Sequence, residues 1–264
     1  MKKVLISLSA IVLVAAVAIG ATVAFFSDTE TSTGNTFTAG AIDLTVDSQQ
    51  HYNGHECVPN LDTATSENMP YVWGPGRNPY PVTGTACGGT WRLKDLVPTF
   101  DKFFNFGDIK PGDEGENTIS LHVINNDAWV CAEVSNLSSD DNGLNEPEAL
   151  VDESDGVGNG ELDDTMLWTI WRDDGDNIRQ ENEPILASGH PVNGVLPIYD
   201  STTTGTPLPG GSMTFLGVSW TLPAESGNET QTDSLTGDIS FRVEQARNNE
   251  NFRCVPVQEP TGDI

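Results

Sequence analysis

Apolar and polar residues alternate along most of this chain. Ile42, Leu44 and Val46 fall on one face of a stretch that begins near residue 41, and Ile119, Leu121 and Val123 repeat the pattern. Val130, Ala132 and Val134 do so again, beyond the turn-forming Asn125-Asn126-Asp127, so a strand–turn–strand hairpin is expected over 119–134. Met166, Trp168 and Ile170 share a face, as do Leu216, Val218, Trp220 and Leu222, and residues 238–243 alternate cleanly. Period-two alternation is what a half-buried strand requires, because successive side chains point to opposite faces of a sheet. Pro111-Gly112-Asp113 adds a turn signal. No long 3.6-residue period follows residue 24, so helices should be few and short. Strands at fairly regular intervals, with turns between them, predict an all-β sandwich.

The pattern breaks in three places. Residues 1–24 carry Lys2 and Lys3 ahead of an apolar run, then Thr22-Val23-Ala24, which reads as a signal peptide with a small-residue cleavage site. An uncleaved anchor is the competing reading, since the apolar run is almost long enough to span a bilayer. Residues 25–40 are polar and Gly-containing and are expected to form a mobile N-terminal segment. The rest, 41–264, is expected to be a single β-domain with insertions at about 47–98 and 137–183. The first insertion is rich in Gly, Pro, Asn and Thr and reads as a surface excursion. Its His51, His55 and Cys57 are metal-ligand types, but Asn53-Gly54 between them points to a turn.

Charge narrows the partners. Twelve Lys and Arg face 39 Asp and Glu, and loss of Lys2 and Lys3 with the signal takes the net charge from −27 to −29. Such a surface repels nucleic acid and anionic lipid and favours cations, so no nucleic-acid partner is expected, and the membrane is met only through the signal segment before cleavage. A salt-rich habitat accounts for the same charge equally well. The acids concentrate in 137–183, in Gly-containing turns that supply the hard oxygen ligands of calcium. Neither loop is an EF-hand: Val157 stands third from Asp155, and Ile178 fifth from Asp174. Calcium is the expected cofactor, with Asp174, Asp176, Glu181 and Glu183 the expected ligands, against the plainer reading of a solvated acidic loop.

Four cysteines in an exported chain point to two disulfides. Of the three pairings, all open from sequence, Cys57–Cys87 is expected to close the first insertion and Cys131–Cys254 to tie an internal strand to the C-terminal segment. Catalytic constellations are missing: the chain has no HExxH, no GxSxG and no GxxxxGK[ST], and its histidines are scattered at 51, 55, 122 and 190. No enzymatic activity is expected.

The opening MKKVLISLSAIVLVAAVAIGATVAFFSDTETSTGNTFTAGAIDLTV resembles the N-terminus of the TasA/camelysin family, exported proteins processed by a SipW-type signal peptidase. The stretches DIKPGDEGENTISLHV, DDGDN and NETQTDSLTGDISFRVEQARNN resemble wider relatives. The resemblance implies a jelly-roll-like β-sandwich that serves as a secreted subunit of biofilm-matrix or surface fibres or pili. Its partners would be itself, as a homopolymer, or other matrix proteins, after the signal peptidase has acted. Assembly would follow donor-strand complementation, with Phe25, Phe26, Thr36 and Phe37 in or beside the donated segment. The alternatives are a monomeric calcium-stabilised adhesion module and an extracellular metallopeptidase of the camelysin type. Mass spectrometry of protein secreted by the native host should find an N-terminus at or within a few residues of Phe25; an intact Met1 would contradict cleavage.

Overall fold

The computed structural model describes residues 27–31, 42–65 and 69–256. Among the described residues, twelve strands make up two antiparallel sheets. The smaller is ordered β1 (Ser27–Thr31), β12 (Ser234–Gln245), β7 (Ala128–Asp140) and β10 (Gly194–Tyr199). The larger runs from β4 (Tyr71–Trp73) through β3 (His55–Pro59), β2 (Asp43–Tyr52), β6 (Glu114–Ile124), β11 (Ser212–Thr221) and β8 (Leu167–Asp173) to β9 (Ile185–Gly189). A further strand, β5 (Trp91–Lys94), pairs with the middle of β2 at Val46 and Ser48, while β3 pairs with its end. Helix is confined, among the described residues, to one turn at Leu162–Thr165 and two 3-10 turns. None is long and apolar enough to cross a membrane.

The alternating residues meet between the sheets, as a sandwich requires. Leu44, Val46, Leu121 and Leu216 from the larger sheet pack in one cluster with Val130, Ile198, Phe241 and Val243 from the smaller. Leu222, beyond the end of β11, is also buried. Gly217 lies against Trp171, whose ring would stand only 2.1 Å from a Cβ at that position.

Three expectations change. Residues 119–134 form no hairpin: β6 pairs with β2 and β11, β7 with β12 and β10, and the turn between them crosses from one sheet to the other. Asn125, at φ 77°, makes the turn, and Asp127 Oδ1 accepts the Gly210 N–H at 2.8 Å. Alternation marks which face of each strand is buried but says nothing of which neighbour it pairs with. The stretch 47–98 is also more than surface excursion. It holds the end of β2 and all of β3, β4 and β5, and it buries Tyr52, Trp73, Trp91 and Leu96. Buried side-chain amides hold it down: Gln50 Nε2 and Asn117 Nδ2 both donate to the Phe103 carbonyl at 2.9 Å, and Gln50 Oε1 accepts the Gly89 N–H at 3.1 Å. Thirdly, the 137–183 stretch is not all insertion: besides the strand expected around residues 166–170, here β8 and paired on both sides, it contains the end of β7.

Both disulfides are present, as Cys57–Cys87 and Cys131–Cys254. The second fastens the C-terminal segment to the outer face of the smaller sheet, beside the Trp129 indole N–H donating to the Asn249 carbonyl at 2.8 Å. The bridge closes a separation of 123 residues, so it removes much freedom from the unfolded chain. Cys131→Ala with Cys254→Ala should lower unfolding free energy by roughly 2–5 kcal/mol in urea titrations; an unchanged midpoint would contradict a structural role for the bridge.

Candidate assembly edge and acidic loops

The N-terminal strand takes the outermost place in the smaller sheet. β1 runs antiparallel to β12, with Ser27 opposite Glu244 and Thr31 opposite Ser240. The expected free leader is therefore not free throughout, because Ser27–Thr31 is already a strand. Phe25, Phe26, Thr36 and Phe37 lie outside the described residues. Without β1, the outward N–H and C=O groups of β12 would form a bare edge, a template for any other extended chain. The opposite edge of this sheet is blunted: β10 carries Pro197, which donates no hydrogen bond, and its register with β7 shifts between Pro197 and Tyr199.

Between the sheets, beyond Thr31 in the direction of β1, lies an open apolar groove of about 1000 Å³. Leu235 and Ile239 of β12 line one side, and Phe104, Phe106, Trp168 and Trp220 the other. Phe103 is buried in the main cluster against Trp91 and Phe241. Backbone and groove together offer what an added strand needs, a hydrogen-bonding edge and a place for apolar side chains.

The loop after β8 corrects the expected calcium ligands. One ligand oxygen from each of Asp173, Asp174 and Asp176 comes within 4.8 Å of the others; Glu181 and Glu183 are outside that group. Glu183 turns inward and closes the loop, accepting the Asp174 N–H at 2.9 Å and the Gln180 N–H at 2.8 Å. Asp173 Oδ2 accepts the Gly175 N–H at 2.8 Å, and Asp176 Oδ1 the Ile178 N–H at 2.9 Å. These carboxylates shape the turn themselves. A second acidic group, Asp141, Glu148 and Asp233, gathers residues from two distant loops. No local pattern marks this group, because Asp233 lies far along the chain from the acid-rich stretch.

The histidines serve structure. His55 is held between the Gly74 and Asn78 carbonyls, each at 2.7 Å, and His51 Nδ1 accepts from the Asn177 side-chain amide at 2.7 Å. His122 lies 3.4 Å from Asp47, and His190 contacts the Met166 carbonyl at 3.0 Å. Beside His51 across the ladder stands Glu116, whose carboxyl is pushed up to about 7 by burial and then by the charges of Asp173 and Asp176.

These features define a class: an all-β sandwich with an N-terminal edge strand, two disulfides and carboxylate clusters able to bind a metal. Residues 1–64 match the family model described as camelysin metallo-endopeptidase, which bears out the resemblance to the TasA/camelysin family. No curated protein matches the chain. A peptidase zinc takes His nitrogens and keeps one position open. The metal-competent groups among the described residues are wholly carboxylate, and all four cysteines are bridged. That donor set does not fit a catalytic zinc, so no hydrolytic step is derived through one.

Glu116 yields a pH prediction. Its folded-state pKa lies above the ordinary 4.5, so the native state holds the proton more tightly than the unfolded chain does. The destabilising contribution is absent below about 4.5, grows as pH rises and is complete above about 7. Melting temperatures measured from pH 5 to 8 should therefore fall less steeply for Glu116→Gln than for the wild type. Parallel profiles would contradict the shift.

Proposed function

We propose that this chain is a secreted structural subunit of extracellular biofilm-matrix or surface fibres, and that its N-terminal strand is donated to the neighbouring copy. The observation that carries this reading is the place of β1: the first of the described strands, at the edge of its sheet, and paired among the described residues with β12 alone. The family match supports it, since residues 1–64 take in the leader, β1, β2 and β3. Two disulfides accord with an oxidising, extracellular setting.

Exchange is physically economical. A β1 donated to a neighbour's β12 makes the same backbone hydrogen bonds that it makes at home, as in domain swapping. Residues 32–42, which join β1 to β2, reach at most roughly 38 Å when extended, enough to pass from one sandwich to the next. The driving force must then come from contacts made only between copies. Phe25, Phe26 and Phe37 are the apolar residues available for this, and full burial of each contributes roughly 1.5–3 kcal/mol. The groove beside Leu235 and Ile239 is the receiving surface assigned to the part of the leader beyond Thr31.

A second reading, a monomeric calcium-stabilised adhesion module, draws support from the carboxylate clusters. Electron microscopy of the purified mature chain separates the two. Wild type should form filaments, whereas Phe25→Ser with Phe26→Ser should weaken each junction by roughly 3–6 kcal/mol and leave folded monomers. Normal filaments from that variant would overturn donor-strand assembly, and folded wild-type monomers that never polymerise would favour the adhesion module.

A further inference from the structure

Two loops meet at the end of the sandwich where β12 begins. Residues 141–161 follow β7, and residues 228–233 precede β12, whose Ser234 pairs with Asp140. Neutral hydrogen bonds lace the loops together. Asn142 Nδ2 donates to the Thr232 carbonyl at 2.8 Å, Asn145 Nδ2 to Gln231 Oε1 at 2.8 Å, and Thr232 Oγ1 to the Gly143 carbonyl at 2.6 Å.

Inside this lacing stand four carboxylates, each with one oxygen occupied and the other unpartnered. Asp141 Oδ1 accepts the Gly143 N–H at 2.9 Å, and Glu148 Oε2 accepts the Asn145 N–H at 3.2 Å. Asp233 Oδ2 accepts the Glu161 N–H at 2.6 Å, and Glu161 Oε1 accepts Ser154 Oγ at 3.3 Å. The remaining oxygens, Asp141 Oδ2, Glu148 Oε1, Asp233 Oδ1 and Glu161 Oε2, are buried with no hydrogen-bond partner among the described residues. Glu148 is 0 % exposed and Asp141 3 %. The ion pairs among the described residues join Lys94 to Asp101, Lys110 to Asp108 and His122 to Asp47, so no basic side chain pairs with this group.

We infer that Asp141, Glu148 and Asp233, with Glu161 beside them, form a calcium-binding site that clamps the loop before β12 to the loop after β7. Buried carboxylates with no counter-charge repel one another, and a divalent cation reverses that sign. The spacing suits calcium. One oxygen from each of Asp141, Glu148 and Asp233 lies within 4.8 Å of the other two, and oxygens on opposite sides of a calcium ion stand roughly 4.6–5.2 Å apart. An all-oxygen, all-carboxylate set is the hard donor chemistry that calcium selects. The carboxylates of Asp173, Asp174 and Asp176 keep no comparable buried, unpartnered oxygen: both oxygens of Asp173 accept hydrogen bonds, and Asp174 and Asp176 are exposed, so the unpartnered buried oxygens there belong to Asn177, Gln180 and the neighbouring Glu116. The inference does not depend on fibre assembly.

The test is calcium chloride titrated into the full chain after EDTA treatment, followed by calorimetry and thermal melting. Wild type should bind saturably and melt roughly 5–10 °C higher at a hundredfold excess over Kd. Asp141→Asn with Glu148→Gln should abolish the response, and in EDTA it should melt above wild type, because two uncompensated charges are gone. Asp233→Asn should weaken binding at least about tenfold, which provides a reading if the double variant does not fold. Asp174→Asn with Asp176→Asn should respond as wild type does. No heat and no melting shift in the wild type would overturn the site, as would a response lost in the Asp174/Asp176 variant and kept in the Asp141/Glu148 variant.

Discussion

The N–H and C=O groups along the outer side of β12 have to be paired, and the fold and the proposed function both turn on which chain pairs them. On its inner side β12 is bonded to β7 from Ser234 to Gln245, with one register shift between Thr236 and Asp238. Phe241 and Val243 plant it in the core. Its position is therefore rigid, and the five residues of β1 complete it from outside. An edge strand paired through its backbone to a rigid neighbour is the part of a sandwich that a second copy can replace. The other edge of that sheet, with Pro197 and a register shift in β10, offers no equivalent place. The C-terminal segment stiffens the same sheet from behind through Cys131–Cys254, and Arg242 extends over the Phe252 ring.

Much of the sandwich was legible in the sequence, and the reason is local. Ile42, Leu44, Val46, Ile119, Leu121, Val123, Leu216 and Val218 alternate because each strand buries one face, and all of them are buried. Pairing was not legible. The turn at Asn125-Asn126-Asp127 can close a hairpin or cross between sheets, and the choice depends on β2, β10, β11 and β12, which lie far away in sequence. The excursion over 47–98 misled for a related reason. Its anchors, Gln50 and Asn117, are polar residues at core-facing positions, and a hydrophobicity pattern counts those as breaks.

The acidic residues show the same division. Their abundance announced cation chemistry, and the resemblance of the N-terminus announced a secreted β-protein. Composition could not separate acids that shape a turn from acids crowded against each other. Asp173, Asp176 and Glu183 do the first, while Asp141, Glu148, Asp233 and Glu161 do the second. The distinction rests on where the second carboxylate oxygen points, which is settled by packing of loops some 90 residues apart, as in the contact of Thr232 with Asp141. If a cation sits there, it secures the beginning of β12, the strand that β1 completes.

Cross-linking across the β1–β12 ladder tests donor-strand assembly most directly. Thr31 and Ser240 are opposite partners in that ladder, and Ser240 faces Glu133 rather than a cysteine on β7, so Thr31→Cys with Ser240→Cys places two thiols opposite each other away from the native bridges. Filaments of this variant, oxidised and then denatured without reductant, should run as a ladder of covalent dimers, trimers and higher multimers. Cross-linked monomers alone, recovered from well-formed filaments, would contradict the exchange of β1 between copies.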